Sequence, residues 1–238
     1  MTLTTLAPPA GGPGAAVPRA RDGARPAAGR VAKRALDVTA ALTLLALALP
    51  VLAVLAAMLR WRCGSPALFR QVRVTQRGRT AVIFKLRTLS EHADADTCWT
   101  VPEQGLTPFG YWLRRTHLDE LPQLINVLRG DMSLVGPRPE RPYFADRFGQ
   151  EIPGYRDRQR MRAGLTGWAQ IHGLKGDSSI AERVRFDNYY IDHWSLRLDL
   201  VIVARTVGLM IGAVCRPAAR QPEAAGAAPG DRSQMSEA

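Results

Sequence analysis

The chain has 238 residues, enough for one domain with a substantial core plus tails. Its 32 Lys and Arg residues against 21 Asp and Glu give a net charge of +11, which points to an anionic partner: nucleic acid, an anionic membrane surface or a phosphorylated substrate. Three widely spaced cysteines and four histidines without ligand spacing argue against a disulfide framework and a zinc site, and no Gly-rich nucleotide fingerprint is present.

Residues 1–32 are rich in Ala, Pro, Gly and Arg and read as a disordered basic tail; residues 216–238 have the same character. From Val38 to Leu59 the chain is apolar apart from Thr39, Thr43 and Pro50. As a helix this run covers roughly 30 Å, enough to cross a bilayer. A signal peptide, a straight span and a re-entrant helix broken at Pro50 compete for the unit 33–62. The run exceeds the usual ~7–15 residues of a signal core. Basic residues on both flanks, Lys33 and Arg34 before it and Arg60 and Arg62 after it, favour a hairpin with both ends cytoplasmic. A kinked span stays open, because prolines occur in membrane helices.

Residues 63–215 form the main folded unit. Residues 67–74 and 81–87 read as a β-hairpin turning at Gln76-Arg77-Gly78-Arg79. Helices follow near 109–116, 119–129, 140–148 and 179–193. Residues 198–214 are apolar but carry Asp199 and Arg205, so they suit a core helix or one lying in a membrane interface. The fold class expected is α+β and helix-dominated: a monotopic membrane protein with a Pro-broken re-entrant N-terminal helix, a small β-hairpin and interfacial amphipathic helices.

The chemistry gathers around Asp119-Glu120. Leu121, Leu124, Ile125 and Leu128 recur behind the pair at helical spacing, Pro122 falls in the first turn, and Gly130 is a stop signal. Two carboxylates at a helix start meet unpaired N–H groups, which keep a carboxylate ionised and attract phosphate. Thr116-x-x-Asp119 also fits a simple cap. Downstream, Pro137-Arg138-Pro139 holds a guanidinium on a stiffened turn suited to bidentate phosphate recognition, or merely a surface arginine. Gly164-Leu165-Thr166-Gly167-Trp168 could cradle a nucleotide or anchor a loop through its Trp, and Tyr189-Tyr190 could simply be packing.

Taken together these segments resemble the bacterial sugar transferase family of monotopic polyprenyl-phosphate phosphoglycosyl transferases. The match runs from Lys33-Arg34 and Asp37 through Phe69-Arg70-Gln71, Arg73, Phe84-Lys85-Leu86-Arg87-Thr88 and the long string Leu118 to Glu140, and on to Gly164–Gln170, Tyr189-Tyr190-Ile191 and Leu198-Asp199-Leu200. His117 stands where relatives often carry Ser, and Leu49 precedes Pro50 where several carry Ser. The chain resembles the small, core-only form.

The resemblance implies transfer of a sugar-1-phosphate from a UDP-sugar to undecaprenyl phosphate at the cytoplasmic face of the bacterial inner membrane, initiating surface-glycan synthesis. It further implies Asp119 as nucleophile, Glu120 as its partner, both as ligands of Mg²⁺, and Arg138, Arg115, Lys85 and Arg87 as phosphate binders. A membrane-tethered basic scaffold without enzymatic activity is the alternative. No nucleic-acid module is legible, so nucleic acid is not an expected partner; a homo-oligomer is left open.

Overall fold

The computed structural model describes residues 27–63, 66–88, 108–176 and 178–215. The two tails read as disordered lie outside these residues. Helix predominates, with two small two-stranded sheets.

Helix α1 (Ala27–Cys63) is longer than the apolar run and contains Pro50 in its interior. The chain is helical on both sides of Pro50. The proline removes the one N–H that would reach the Ala46 carbonyl, and helical residues continue beyond it. Residues 28–61 form a helix long and apolar enough to cross a membrane.

β1 (Leu68–Val74) and β2 (Thr80–Leu86) form the expected antiparallel hairpin, with Leu68 opposite Leu86 and Val74 opposite Thr80. A 3₁₀ turn at Gln76–Gly78 closes it, with Arg77 at φ 57° and Gly78 at φ 74°, the left-handed conformations such a tight turn needs. The free edge of β2 is closed by a side chain. Asn126 is fully buried, accepts from the Phe84 N–H at 3.1 Å and donates to the Val82 carbonyl at 2.7 Å. Its amide thus mimics one residue of a third strand and seats the Leu118–Arg129 segment over β2.

That segment departs from the helix expected over 119–129. A 3₁₀ stretch covers Leu118–Gln123, and α-helix α3 begins only at Leu124, running to Arg129. Pro122 cannot donate to the Leu118 carbonyl, so the i→i−4 ladder starts after it. The capping reading of Thr116 is also corrected: its hydroxyl donates back to the carbonyls of Trp112 and Leu113, inside α2 (Pro108–Thr116). His117, at φ 58°, makes the turn instead. Gly130 ends α3 at φ 88° as expected, and Arg34 of α1 donates to the last carbonyls, Val127 O at 2.6 Å and Leu128 O at 2.8 Å.

β3 (Ser133–Val135) and β4 (Gly164–Thr166) pair in parallel. Three glycines permit this. A Cβ on Gly164 would strike Gly136 N, one on Gly136 would strike Arg162 O, and one on Gly167 would strike Gly136 O. Helix α4 spans Pro142–Glu151 rather than 140–148, because Pro142 takes the first helical turn while Glu140 bridges to Val74. A 3₁₀ turn at Tyr155–Arg160 follows, then the short α5 (Trp168–Ile171), α6 (Ile180–Asp192) and α7 (Leu196–Cys215). Trp168, Tyr190, Ile191 and Ile202 form one buried cluster from α5, α6 and α7. Tyr190 is therefore core, its hydroxyl bonded to Asp199 at 2.7 Å.

Candidate active site

Seating Leu118–Gln123 over β2 places the acidic pair against Lys85. Lys85 Nζ lies 2.7 Å from Glu120 Oε1. Arg138, held between its two prolines, reaches the same carboxylate with both amino groups, Nη2 to Oε1 at 2.6 Å and Nη1 to Oε2 at 3.2 Å. Both oxygens of Glu120 are therefore engaged. Burial alone would raise its pKa, but Arg138 and Lys85 together take it well below the ordinary carboxylate range. Burial lowers the Lys85 pKa against the pull of Glu120, while Glu120 raises that of Arg138.

Asp119 is different. It is 7% exposed, and its Oδ1 is buried with no hydrogen-bond partner. Burial first, and the Glu120 charge second, push its pKa up from 3.8 to about 6. The helix start does not keep this carboxylate strongly acidic, as the sequence had suggested, because burial and the adjacent anion outweigh the nearby cations. The result is a carboxylate that is ionised at neutral pH, poorly solvated and free at one oxygen. That combination suits a nucleophile.

The structure gathers Asp119, Glu120, Lys85 and Arg138, but it turns Arg87 elsewhere. Arg87 Nε donates to the Pro66 carbonyl at 3.1 Å and its guanidinium lies over the Phe69 ring. On α2, Arg114 acts on Asp119: its charge lowers the Asp119 pKa, and its Nε donates to Thr88 Oγ1 at 2.8 Å.

A second layer of charge went unassigned in the sequence. Glu140 pairs with Arg183 at 3.0 Å and lies near Arg73 and Arg158; Arg158 in turn pairs with Asp187 at 2.6 Å and donates to the Arg138 carbonyl at 2.9 Å. Burial brings the Arg73 pKa down to about 10. These groups lock the backbone of Arg138 from behind. Their spacing, 140 to 158 to 187, carries no local periodicity that would have announced the network. The glycine-rich stretch proves to be scaffold: Trp168 is buried in the core, and Gly164 and Gly167 serve close packing.

Whether Mg²⁺ suits this site can be judged from the donors. Among the described residues no cluster of three or more Asp, Glu, His or Cys is placed to hold a metal. Glu120 has both oxygens occupied by cations. Asp119 Oδ1 fits a cation that takes its remaining ligands from water and substrate phosphate, the usual habit of Mg²⁺.

The model of the bacterial sugar transferase family matches residues 28–213. The chain belongs to the bacterial sugar transferase family. As a member of it, the chain is similar to proteins named UDP-glucose:undecaprenyl-phosphate glucose-1-phosphate transferase from Caulobacter vibrioides (45% identical over 74% of this chain and 68% of that protein) and Escherichia coli K12 (41% over 75% and 40%). It is also 37% identical, over 74% of this chain and 42% of the relative, to a UDP-N-acetylgalactosamine-undecaprenyl-phosphate N-acetylgalactosaminephosphotransferase from Aeromonas hydrophila. The chain thus spans well under half the length of two of these three relatives.

Proposed function

We propose that this chain is an undecaprenyl-phosphate sugar-1-phosphate transferase that takes its sugar-phosphate from a UDP-sugar. The observation that carries the reading is Asp119: a buried carboxylate, free at Oδ1, one residue from a carboxylate already saturated by Lys85 and Arg138.

In this reading an Asp119 oxygen attacks the phosphorus that bears the sugar. The bond from that phosphorus to the bridging oxygen breaks, and UMP leaves. An oxygen of undecaprenyl phosphate then attacks the same phosphorus, the acyl-phosphate bond breaks, and Asp119 is regenerated. In this reading Arg138 and Lys85 bind the phosphate oxygens as charge builds. Mg²⁺ held at Asp119 Oδ1 would neutralise diphosphate charge. The relatives' names include both glucose and N-acetylgalactosamine, so the sugar is to be found by screening.

The acceptor's apolar tail requires a bilayer, and we infer that α1 provides a re-entrant membrane anchor. Support comes from its packing: Ala41 and Leu45 in its first half lie against Leu124 and Val127, and Leu52, Leu55 and Leu59 in its second half lie against Leu86 and Leu113. Both halves rest on one body. Helix α7 adds an apolar exposed face, with Leu200, Val207, Leu209, Ile211 and Val214 each roughly half or more exposed, which suits the interfacial helix expected of this segment.

The test is direct. The purified protein, given undecaprenyl phosphate and a panel of UDP-sugars, should release UMP with one or few of them. A single-turnover reaction without acceptor should leave a phosphosugar adduct on Asp119. UMP release by Asp119→Asn at the wild-type rate would overturn the reading.

A further inference from the structure

The cations of this site are distributed unevenly between the two carboxylates. Glu120 receives Arg138 through both amino groups and Lys85 at 2.7 Å, whereas Asp119 Oδ1 has no partner. If these cations served only to balance buried negative charge, they would be shared. Instead they converge on the two oxygens of one planar anion, the arrangement in which Arg and Lys bind a phosphate edge.

Arg138 also has the freedom to change partner. Its backbone is fixed by Pro137, by Pro139 and by Arg158, which donates to its carbonyl at 2.9 Å. Its side chain is 29% exposed, against 8% for Glu120. Part of the Arg138 side chain is therefore open to solvent, while the carboxylate it holds is not.

We propose that Glu120 is a place-holding anion: a positioning residue that occupies the phosphate seat of Arg138 and Lys85 until the donor's diphosphate displaces it. Without the donor it keeps two buried cations paired and oriented. On binding, the two cations exchange carboxylate oxygens for phosphate oxygens by side-chain movement alone. The idea rests on the phosphoryl-transfer reading above and gives Glu120 a role other than holding metal.

The test uses the full-length protein in detergent and inorganic pyrophosphate, which is not turned over. Glu120→Gln removes the competing charge, so pyrophosphate should bind it roughly tenfold or more tightly than wild type. The Mn²⁺ affinity, measured alone, should stay the same. A merely structural Glu120 predicts weaker pyrophosphate binding, and a metal-ligating Glu120 predicts lost Mn²⁺ affinity; either result overturns the proposal. A second measurement needs no variant at Glu120. The ¹⁵N guanidinium resonance of Arg138, identified by its loss in Arg138→Lys, should move when pyrophosphate is added to wild type without metal; an unmoved resonance also overturns it. Failure of the underlying reading looks different: wild type would then form no phosphosugar adduct, whatever pyrophosphate does.

Discussion

Asp119 pairs a functional gain with a cost in stability. Its carboxyl titrates near 6 in the folded protein against 3.8 ordinarily, so the folded state holds its proton more tightly than the unfolded chain does. Stability from this group is therefore present at low pH, falls as pH rises from about 4 to about 6, and stays reduced above that, by up to about 3 kcal/mol. Asp119→Asn should melt higher than wild type at pH 7.5, by about 2–4 °C per kcal/mol recovered, and the gain should vanish near pH 4. Thermal melts at both pH values check this; a lower melting temperature at pH 7.5 contradicts it. Under the proposed function the same shift sets activity, because a protonated carboxyl does not attack phosphorus. The pH profile of kcat/KM should fall on the acid side near pH 6. In Glu120→Gln that limb should move to lower pH, since a like charge beside Asp119 is removed.

At the scale of elements, the structure owes its site to contacts that are local in space and remote in sequence. The hairpin, the stop at Gly130 and the existence of the later helices were legible, because alternation, glycine punctuation and apolar spacing act within a few residues. The start of α3 was misread because Pro122 is acceptable in an α-helical first turn yet here closes a 3₁₀ stretch. Asn126 closing the edge of β2, and Glu140 gathering arginines from three segments, had no local signature. Of the candidate site residues, the carboxylate pair, Lys85 and Arg138 converge. Arg87 does not, because its guanidinium lies over Phe69, a neighbour across the hairpin that a one-dimensional list of cations does not reveal.

The network makes its own prediction. Glu140→Gln would leave Arg183 and its neighbours without their shared anion, and should destabilise the protein by about 3–5 kcal/mol. Chemical denaturation measures this, and a loss under ~1 kcal/mol contradicts it. Gly164 and Gly208 offer a matched pair. A Cβ at Gly164 would strike backbone atoms of Gly136, so Gly164→Ala should cost about 1–3 kcal/mol and disturb the Arg138 turn. Gly208 on α7 meets nothing within 4 Å, and its change to Ala should stabilise by about 0.4–1 kcal/mol. Equal effects at the two positions would refute the close-packing account of β3 and β4.

For the whole molecule, the question is how one long apolar helix and a basic body would share the membrane that the proposed acceptor requires. Positive flanks suggested a hairpin, but Lys33 and Arg34 prove to be bound within the protein. Lys33 pairs with Asp199 at 2.7 Å, and Arg34 caps α3. Near them Asp37, 4% exposed, accepts from Ser133 Oγ and the Leu134 N–H. The helix is thus latched to the body at its start and packed on it again at Leu55 and Leu59. A straight span would carry the second set of contacts across the hydrocarbon, and with it Lys85, Arg138 and Glu120, which sit between the two sets. Burying such groups in lipid is costly, while the proposed re-entrant helix would leave them at the interface, where the proposed acceptor's phosphate would lie. The outer face of α1, with Leu47 70% and Leu49 61% exposed just before Pro50, is free to enter the acyl region. Single cysteines replacing Val31 and Trp61, both exposed, should therefore react with an impermeant thiol reagent from the cytoplasmic side only, in a background where Cys63, Cys98 and Cys215 are changed to Ser. Reaction of the two positions from opposite sides would mean that α1 crosses the bilayer, and that its contacts with Leu86 and Leu113 do not hold in the membrane.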